Sequence, residues 1–301
     1  MDRLNLPRLR LIYLAQFPQI TRSLMYRMIK KDVTLSTIYQ YSINDLVDQC
    51  HCPLKTAKQL HQYLSEFEPN HNNLKKLHHY KIWTIFDEDY PRLLKNIPDP
   101  PIILYGLGRS DYINHLPALA VVGTRRPSKF AKKNMYDLLA PLVNKDWLFV
   151  SGMAAGIDGY AHRIADYYGG KTIAVIAGGL NHPYPSEHLD LFQRLSKKHL
   201  VISEYPPHTR PERYHFPERN RIISGLAFAT LVIEAQERSG SLITADQALE
   251  QGREVLAVPN AISLEQAKGC HYLIQNGAKL VQSTYDILQE WDELKQNWLH
   301  L

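Results

Sequence analysis

Apolar and polar positions change rhythm along this chain. Up to about residue 80, apolar residues recur at helical spacing: Leu60, Leu64 and Phe67 stand at i, i+4 and i+7. The pattern predicts helices over residues 20–31 and 54–67, broken after them by Pro69-Asn70-His71-Asn72-Asn73. Two strand-like runs follow, 82–86 and 102–106, with the turn Pro98-Asp99-Pro100-Pro101 between them. From about 117 the rhythm becomes strand, helix, strand. Nearly continuous, β-branched apolar runs at 118–122, 147–150, 172–176, 200–202, 229–233 and 255–258 are expected of strands buried on both faces. Between them, Ile157, Ala161, Ile164 and Ala165 make one helical face. Leu242, Ala245, Ala248 and Leu249 make another, ended by Gly252 in the C′ position. This alternation predicts an α/β fold, a doubly wound and mostly parallel sheet with helices on both faces. A last helix carries the stripe Ile287, Trp291, Leu294 and Trp298, and Ser283 with Asp286 forms a short-armed capping box at its start. That stripe either packs on the body or serves a partner. The expected organisation is a helical domain over 1–80, an α/β domain over 81–282 and a C-terminal helix over 283–301.

Glycine-rich turns follow the strands. They are Gly123-Thr124-Arg125-Arg126, Ser151-Gly152 through Gly156, Gly178-Gly179, and the Ser239-Gly240-Ser241 segment. In an open parallel sheet such turns share the carboxyl edge, where the ligand crevice lies. Glycine lets backbone approach a ligand closely, and helix starts offer free N–H groups and partial positive charge. Arginines among these turns make the edge a candidate phosphate site. The run Phe216-Pro217-Glu218-Arg219-Asn220-Arg221 adds two arginines and an asparagine just before an apolar stretch. Arginine's planar fork suits phosphate, although a surface ion-pair cluster has the same composition. The expected phosphate ligands are therefore Gly123, Thr124, Arg125, Arg126, Ser151, Gly152, Gly178, Gly179, Phe216, Arg219, Asn220, Arg221, Ser239, Gly240 and Ser241. Asp158, Tyr184, Glu234 and Thr244 are expected to shape the pocket.

Composition narrows the function classes. The chain has 301 residues, 45% hydrophobic and 22% charged, with formal net charge +5. A packed core is affordable, and an anionic partner is permitted. Cys50, Cys52 and Cys270 are too few for a disulfide framework and fit a reducing cytoplasm. Cys50-His51-Cys52 lacks the second ligand pair of a zinc site, so no metal is expected. No membrane span is expected either, and Asp2, Arg3 and Arg8 leave no signal-peptide core. His61, His71, His78 and His79 read as a solvated surface. G-x-x-x-x-G-K-[ST], G-x-S-x-G and H-E-x-x-H are absent, and the glycine spacing is not a dinucleotide fingerprint, so no cofactor is implied. Asp158 and His162 stand at i, i+4, either as an acid–base pair or as a helix cap beside a buried hydrogen-bonded histidine. Glu234, at a strand end, is either a general base or a loop anchor.

These motifs in this order resemble the DprA/Smf family of DNA-processing proteins over roughly residues 80–282. The likeness runs through Asp89-Tyr90-Pro91, Val122-Gly123-Thr124-Arg125-Arg126-Pro127-Ser128, Ser151 to Asp158 with His162, Tyr184-Pro185 and Ser203-Glu204-Tyr205-Pro206. It continues through Phe216 to Arg221, Glu234-Ala235, Ser239 to Ala245 and Gly252-Arg253-Glu254-Val255. The resemblance implies an extended Rossmann-like domain that binds single-stranded DNA, and a helical N-terminal SAM-like or helix-hairpin-helix domain. It also implies a homodimer formed through the Rossmann-like domain and loading of a RecA-type recombinase in natural transformation, without catalysis. Ala155 stands where the family commonly has arginine, Asn260 where it has glycine, His271 where it has asparagine, and Thr124 where serine is commoner. A rival reading is a Rossmann-like enzyme cleaving N-glycosidic bonds of small nucleotides, with Glu234 or Asp158 catalytic. A third makes residues 1–80 the main partner-binding module.

Overall fold

A computed structural model describes residues 6–68 and 72–300; Asp2, Arg3 and the break at Pro69-Asn70-His71 lie outside the described residues. The chain divides into two compact units. The first ends at Tyr90 and takes in Ile102–Leu104; the second comprises Pro91–Pro101 and everything from Tyr105 onward.

The first unit contains helices α1 (Leu6–Ala15), α2 (Arg22–Lys31), α3 (Ile43–Cys50), α4 (Leu54–Ser65) and α5 (Asn72–Lys75), then strand β1 (Lys81–Thr84). Thr21 caps α2 by accepting the Leu24 N–H at 3.2 Å. Ser42 and Asp45 form a capping box on α3. Leu11, Leu14, Met28, Ile38, Leu46 and Leu60 fill the core, and Tyr13 stacks on Tyr63 at 4.4 Å. Cys50 and Cys52 are buried and unbridged. Burial pushes both thiols up, away from the thiolate that a metal would need.

The second unit opens with α6 (Arg92–Lys95). Then come β2 (Ile103–Gly108, its first two residues counted with the first unit), β3 (Ala118–Val122), α7 (Ala131–Val143) and β4 (Leu148–Ser151). After these run α8 (Ile157–Tyr167), β5 (Lys171–Val175), α9 (Leu189–Lys198), β6 (Leu200–Ser203), α10 (His215–Gly225) and β7 (Ala229–Val232). The chain closes with α11 (Gly240–Glu250), β8 (Glu254–Ala257), α12 (Lys268–Gln275), β9 (Lys279–Leu280) and α13 (Thr284–Leu299). The strand order is β2-β6-β5-β4-β3-β7-β8-β9. All neighbours pair in parallel except β2 and β6, where Tyr105 opposes Ser203 antiparallel. This is the expected mostly parallel, Rossmann-like sheet. Strand order reverses at β3: the chain builds outward through β4, β5 and β6, then returns to place β7 on β3's other side. That switch point opens a crevice at the strands' carboxyl ends.

Leu119, Val121, Phe149 and Leu231 from the strands pack with Met135 and Leu139 of α7, Ile157 and Ala161 of α8, and Trp291 and Trp298 of α13. The stripe of α13 therefore lies on the body, Trp291 meeting Phe228 at 5.1 Å and Trp147 at 6.2 Å. Helix α11 differs from the expected phase. It buries Ser241, Thr244, Ala245 and Ala248 and leaves Leu249 exposed, because small residues are what let it approach α10 and the sheet.

Candidate nucleic-acid interface

The crevice at the β3–β7 switch point encloses about 440 Å³. The loop after β3 supplies Gly123, Thr124, Arg125 and Arg126. The segment after β7 supplies Gln236, Ser239, Gly240, Ser241, Ile243 and Thr244. Helix α10 supplies Phe216, Arg219 and Asn220, and Asp158 comes from α8.

A buried carboxylate holds the first loop in place. Glu234, fully buried at the end of β7, accepts the Ser128 N–H at 2.8 Å and the Ser128 hydroxyl at 2.5 Å. Its backbone carbonyl accepts the Thr124 N–H at 2.7 Å. Asn260 donates a longer bond to the same carboxylate at 3.4 Å. Gly156 precedes α8 at φ +80°, with space for a Cβ only 2.4 Å from the Thr124 carbonyl oxygen. Arg125 and Arg126 thus project from a loop fixed at both flanks. Both are exposed, and neither has an ion-pair partner among the described residues. The Arg125 guanidinium lies 5.8 Å from the Phe216 ring centre, and Phe216 meets Tyr184 edge-on at 5.6 Å. Tyr184 is half exposed. Across the crevice, Ser239 precedes α11 at the N-cap position, and its hydroxyl is buried with no hydrogen-bond partner among the described residues. Asn220 reaches the Gly240 carbonyl at 3.4 Å, and the Thr244 hydroxyl donates to that same carbonyl at 3.3 Å.

The two arginines of α10 have other tasks. Arg221 is 5% exposed, donates from Nη2 to both oxygens of Glu204 at 2.7 Å and from Nε to Asp99 at 3.2 Å. It is an interior ion pair outside the crevice lining, not the exposed phosphate ligand that the sequence suggested. Arg219 is also 5% exposed, and it donates to the carbonyls of Gly152 at 2.6 Å and Val175 at 2.5 Å. Its guanidinium occupies the space of a missing Cβ at Gly152. Arg219 is thus a charged floor of the crevice, with Nη1 committed to the two carbonyls and Nε donating to the Asn220 side-chain oxygen at 3.1 Å. Burial lowers it to about 10, opposed by Asp158, so it stays charged at neutral pH.

Several expected backbone donors are also engaged. The Gly152 N–H goes to Asp158 at 3.1 Å, and the Ser151 hydroxyl goes to the Val121 carbonyl at 2.7 Å. Gly179 gives its N–H to the Thr209 carbonyl at 2.8 Å. Gly178 and Gly179 lie buried against the Pro206–Pro211 segment, where a Cβ on Gly179 would stand 2.1 Å from the Pro206 carbonyl. Packing of the chain against itself is enough to call for glycine at 179. Asp158 and His162 do not pair. His162 bonds the Thr172 hydroxyl at 2.7 Å, while burial pushes Asp158 up against the opposing pull of Arg219. The sequence reading gave Ser128, Gln236 and Ile243 no role of their own; no local pattern links Ser128 to a carboxylate 106 positions away.

Residues 81–292 match the family of the DNA recombination-mediator protein A. The chain is 46% identical over 209 residues to the DNA processing protein DprA of Bacillus subtilis, covering 69% of this chain and 70% of that one. It is 44% identical to DprA of Streptococcus pneumoniae over 72% of this chain and 77% of that one. The X-ray structure of the Streptococcus pneumoniae protein superposes with TM-score 0.81 at 36% identity, covering 96% of this chain and 99% of that one. A Helicobacter pylori DNA processing protein A, described for its single-stranded DNA binding mode, shares the fold at TM-score 0.64. Its identity is 24%, over 71% of this chain and 97% of that one.

Proposed function

This chain belongs to the DNA recombination-mediator protein A family, and from that premise we propose that it binds single-stranded DNA in the β3–β7 crevice and hands it to a RecA-type recombinase. The carrying observation is the pair Arg125 and Arg126, exposed and without an ion-pair partner among the described residues, on a loop fixed by Glu234, facing the start of α11. Two fixed guanidiniums, the spare Ser239 hydroxyl and the α11 N-terminus suit consecutive phosphates. Phe216 and Tyr184 offer faces for bases, each stacked base contributing about 1–3 kcal/mol. A base held inside a duplex stack cannot reach those rings, so a single strand is the preferred form. The relatives' printed descriptions, recombination mediator and single-stranded DNA binding, support this reading.

The same reading includes a homodimer through the Rossmann-like unit. Tyr272 and Leu280, exposed apolar residues on the consecutive elements α12 and β9 at the sheet's edge, offer such a face. The place of action is the cytoplasm, which suits the buried, unbridged Cys50, Cys52 and Cys270. No described helix is long and apolar enough to cross a membrane. The task in this reading is loading of that recombinase in natural transformation, without catalysis. Against nucleotide cleavage stands the engagement of both candidate acids: Glu234 with Ser128, and Asp158 with backbone N–H groups. Competition between labelled single-stranded and duplex oligonucleotides tests the reading. Preference for the single strand supports it, whereas equal affinity contradicts it. Release of free base from nucleoside monophosphates, abolished in Glu234→Gln, would establish the enzyme instead.

A further inference from the structure

A second concave surface of about 480 Å³ lies on the α7–α8–α9 face of the same unit. Tyrosines dominate it. Tyr167 is 81% exposed, Tyr136 49% and Tyr168 39%, and they form one aromatic array, Tyr167 to Tyr168 at 4.8 Å and Tyr168 to Tyr136 at 5.8 Å. Its charge is mostly positive. Lys132 lies 5.0 Å from the Tyr160 ring, and Arg163 and Arg194 complete the rim. The carboxylate among the lining residues, Asp166, is mostly covered and already faces His199 at 3.3 Å and Arg194 at 3.7 Å. Exposed aromatic rings interleaved with cations, without free acids, are what a single strand needs and what a core does not explain.

The surface is continuous in the chain with the crevice. Helix α8 starts against the crevice loop, where the Ile157 N–H bonds the Thr124 carbonyl at 3.3 Å. It then carries Tyr160, Arg163 and Tyr167 along one side, reaching about 15 Å from its start. Exposed Lys129 and Lys132 lie in the chain between Arg126 and Tyr136. We propose that the tyrosine face is a stacking platform for the part of a DNA single strand that extends beyond the crevice. This rests on the crevice reading and deepens it: the crevice holds a short strand, and the platform confers dependence on length.

The experiment measures anisotropy of labelled oligothymidylates of about 6 and about 24 nucleotides, bracketing common single-strand site sizes. The proteins are wild type, Tyr167→Ala/Tyr168→Ala, Tyr167→Phe/Tyr168→Phe and Arg125→Ala/Arg126→Ala, each sized by gel filtration. The platform predicts that the alanine tyrosine variant loses about 5-fold to 100-fold affinity for the long strand, as expected when a base stack is removed, and keeps its affinity for the short one. The phenylalanine variant keeps both, because stacking needs the ring and not the hydroxyl. The arginine variant weakens both lengths. Unchanged long-strand affinity in the alanine variant, with both lengths weakened in the arginine variant, overturns the platform and leaves the crevice reading standing. Equal loss at both lengths, or loss of a dimer in the alanine variant, overturns it in favour of a fold or subunit role. Absence of binding by wild type at either length overturns both readings.

Discussion

Ser128 and Glu234 are joined twice, backbone N–H and hydroxyl both donating to one buried carboxylate 106 positions away. These two hydrogen bonds set where Arg125 and Arg126 point, since the loop between Gly123 and Ser128 has no helix or strand of its own. Ser128→Ala removes the hydroxyl bond. Urea unfolding is expected to show a loss of about 1.5–3 kcal/mol, the usual worth of a hydrogen bond to a charged group. DNA affinity is expected to fall with it, although Ser128 does not itself line the crevice.

Arg221 is expected to govern stability and not binding. Its guanidinium and Glu204 are both nearly covered, so Arg221→Ala takes the guanidinium from a buried carboxylate and costs about 3–5 kcal/mol in urea unfolding. Arg221→Leu with Glu204→Leu recovers much of that loss. In the double variant, the salt dependence of DNA binding matches that of wild type.

Gly156 joins sequence to site through its backbone. Its φ of +80° and the Thr124 carbonyl beside its empty Cβ position make Gly156→Ala strained on two counts. The variant is expected to unfold at lower urea and to bind DNA more weakly. Gly252→Ala, also at positive φ but in open space, lowers stability without touching DNA affinity.

These cases mark what the sequence made legible. The buried strands were visible because parallel strands covered on both faces need continuous apolar runs: residues 118–122 are β3, and the other runs fall within a residue or so of β4 to β8. The carboxyl-edge crevice followed from strand order and glycine turns. The division of labour among arginines did not. Arg125 and Arg221 look alike as sequence, and only the fold brings Asp99 and Glu204 to Arg221 while giving Arg125 no ion pair among the described residues. Nor did Gly178 and Gly179 reveal that the chain's own Pro206–Pro211 segment covers them.

Stability is expected to fall between neutral pH and about pH 4.5, above the range where carboxylates titrate. Burial holds His162 at about 3, with His199 and His188 adding to the depression. The unfolded histidine binds its proton near 6.5, so the unfolded state takes up protons first as pH drops. The stabilisation is complete above 6.5 and is lost progressively toward 3. His162→Gln should flatten the slope of urea stability against pH in that window, though not abolish it, since burial also lowers His199 and His215.

The central claim, that the exposed pair on the β3 loop holds phosphates, is tested most directly by anisotropy of a labelled single strand across a salt series. Wild type and Arg125→Ala/Arg126→Ala are compared. Wild-type affinity is predicted to fall steeply with salt, and the log–log slope is predicted to be shallower in the variant by about 0.7 for each phosphate no longer held. An unchanged slope, or no binding by wild type at low salt, would contradict it.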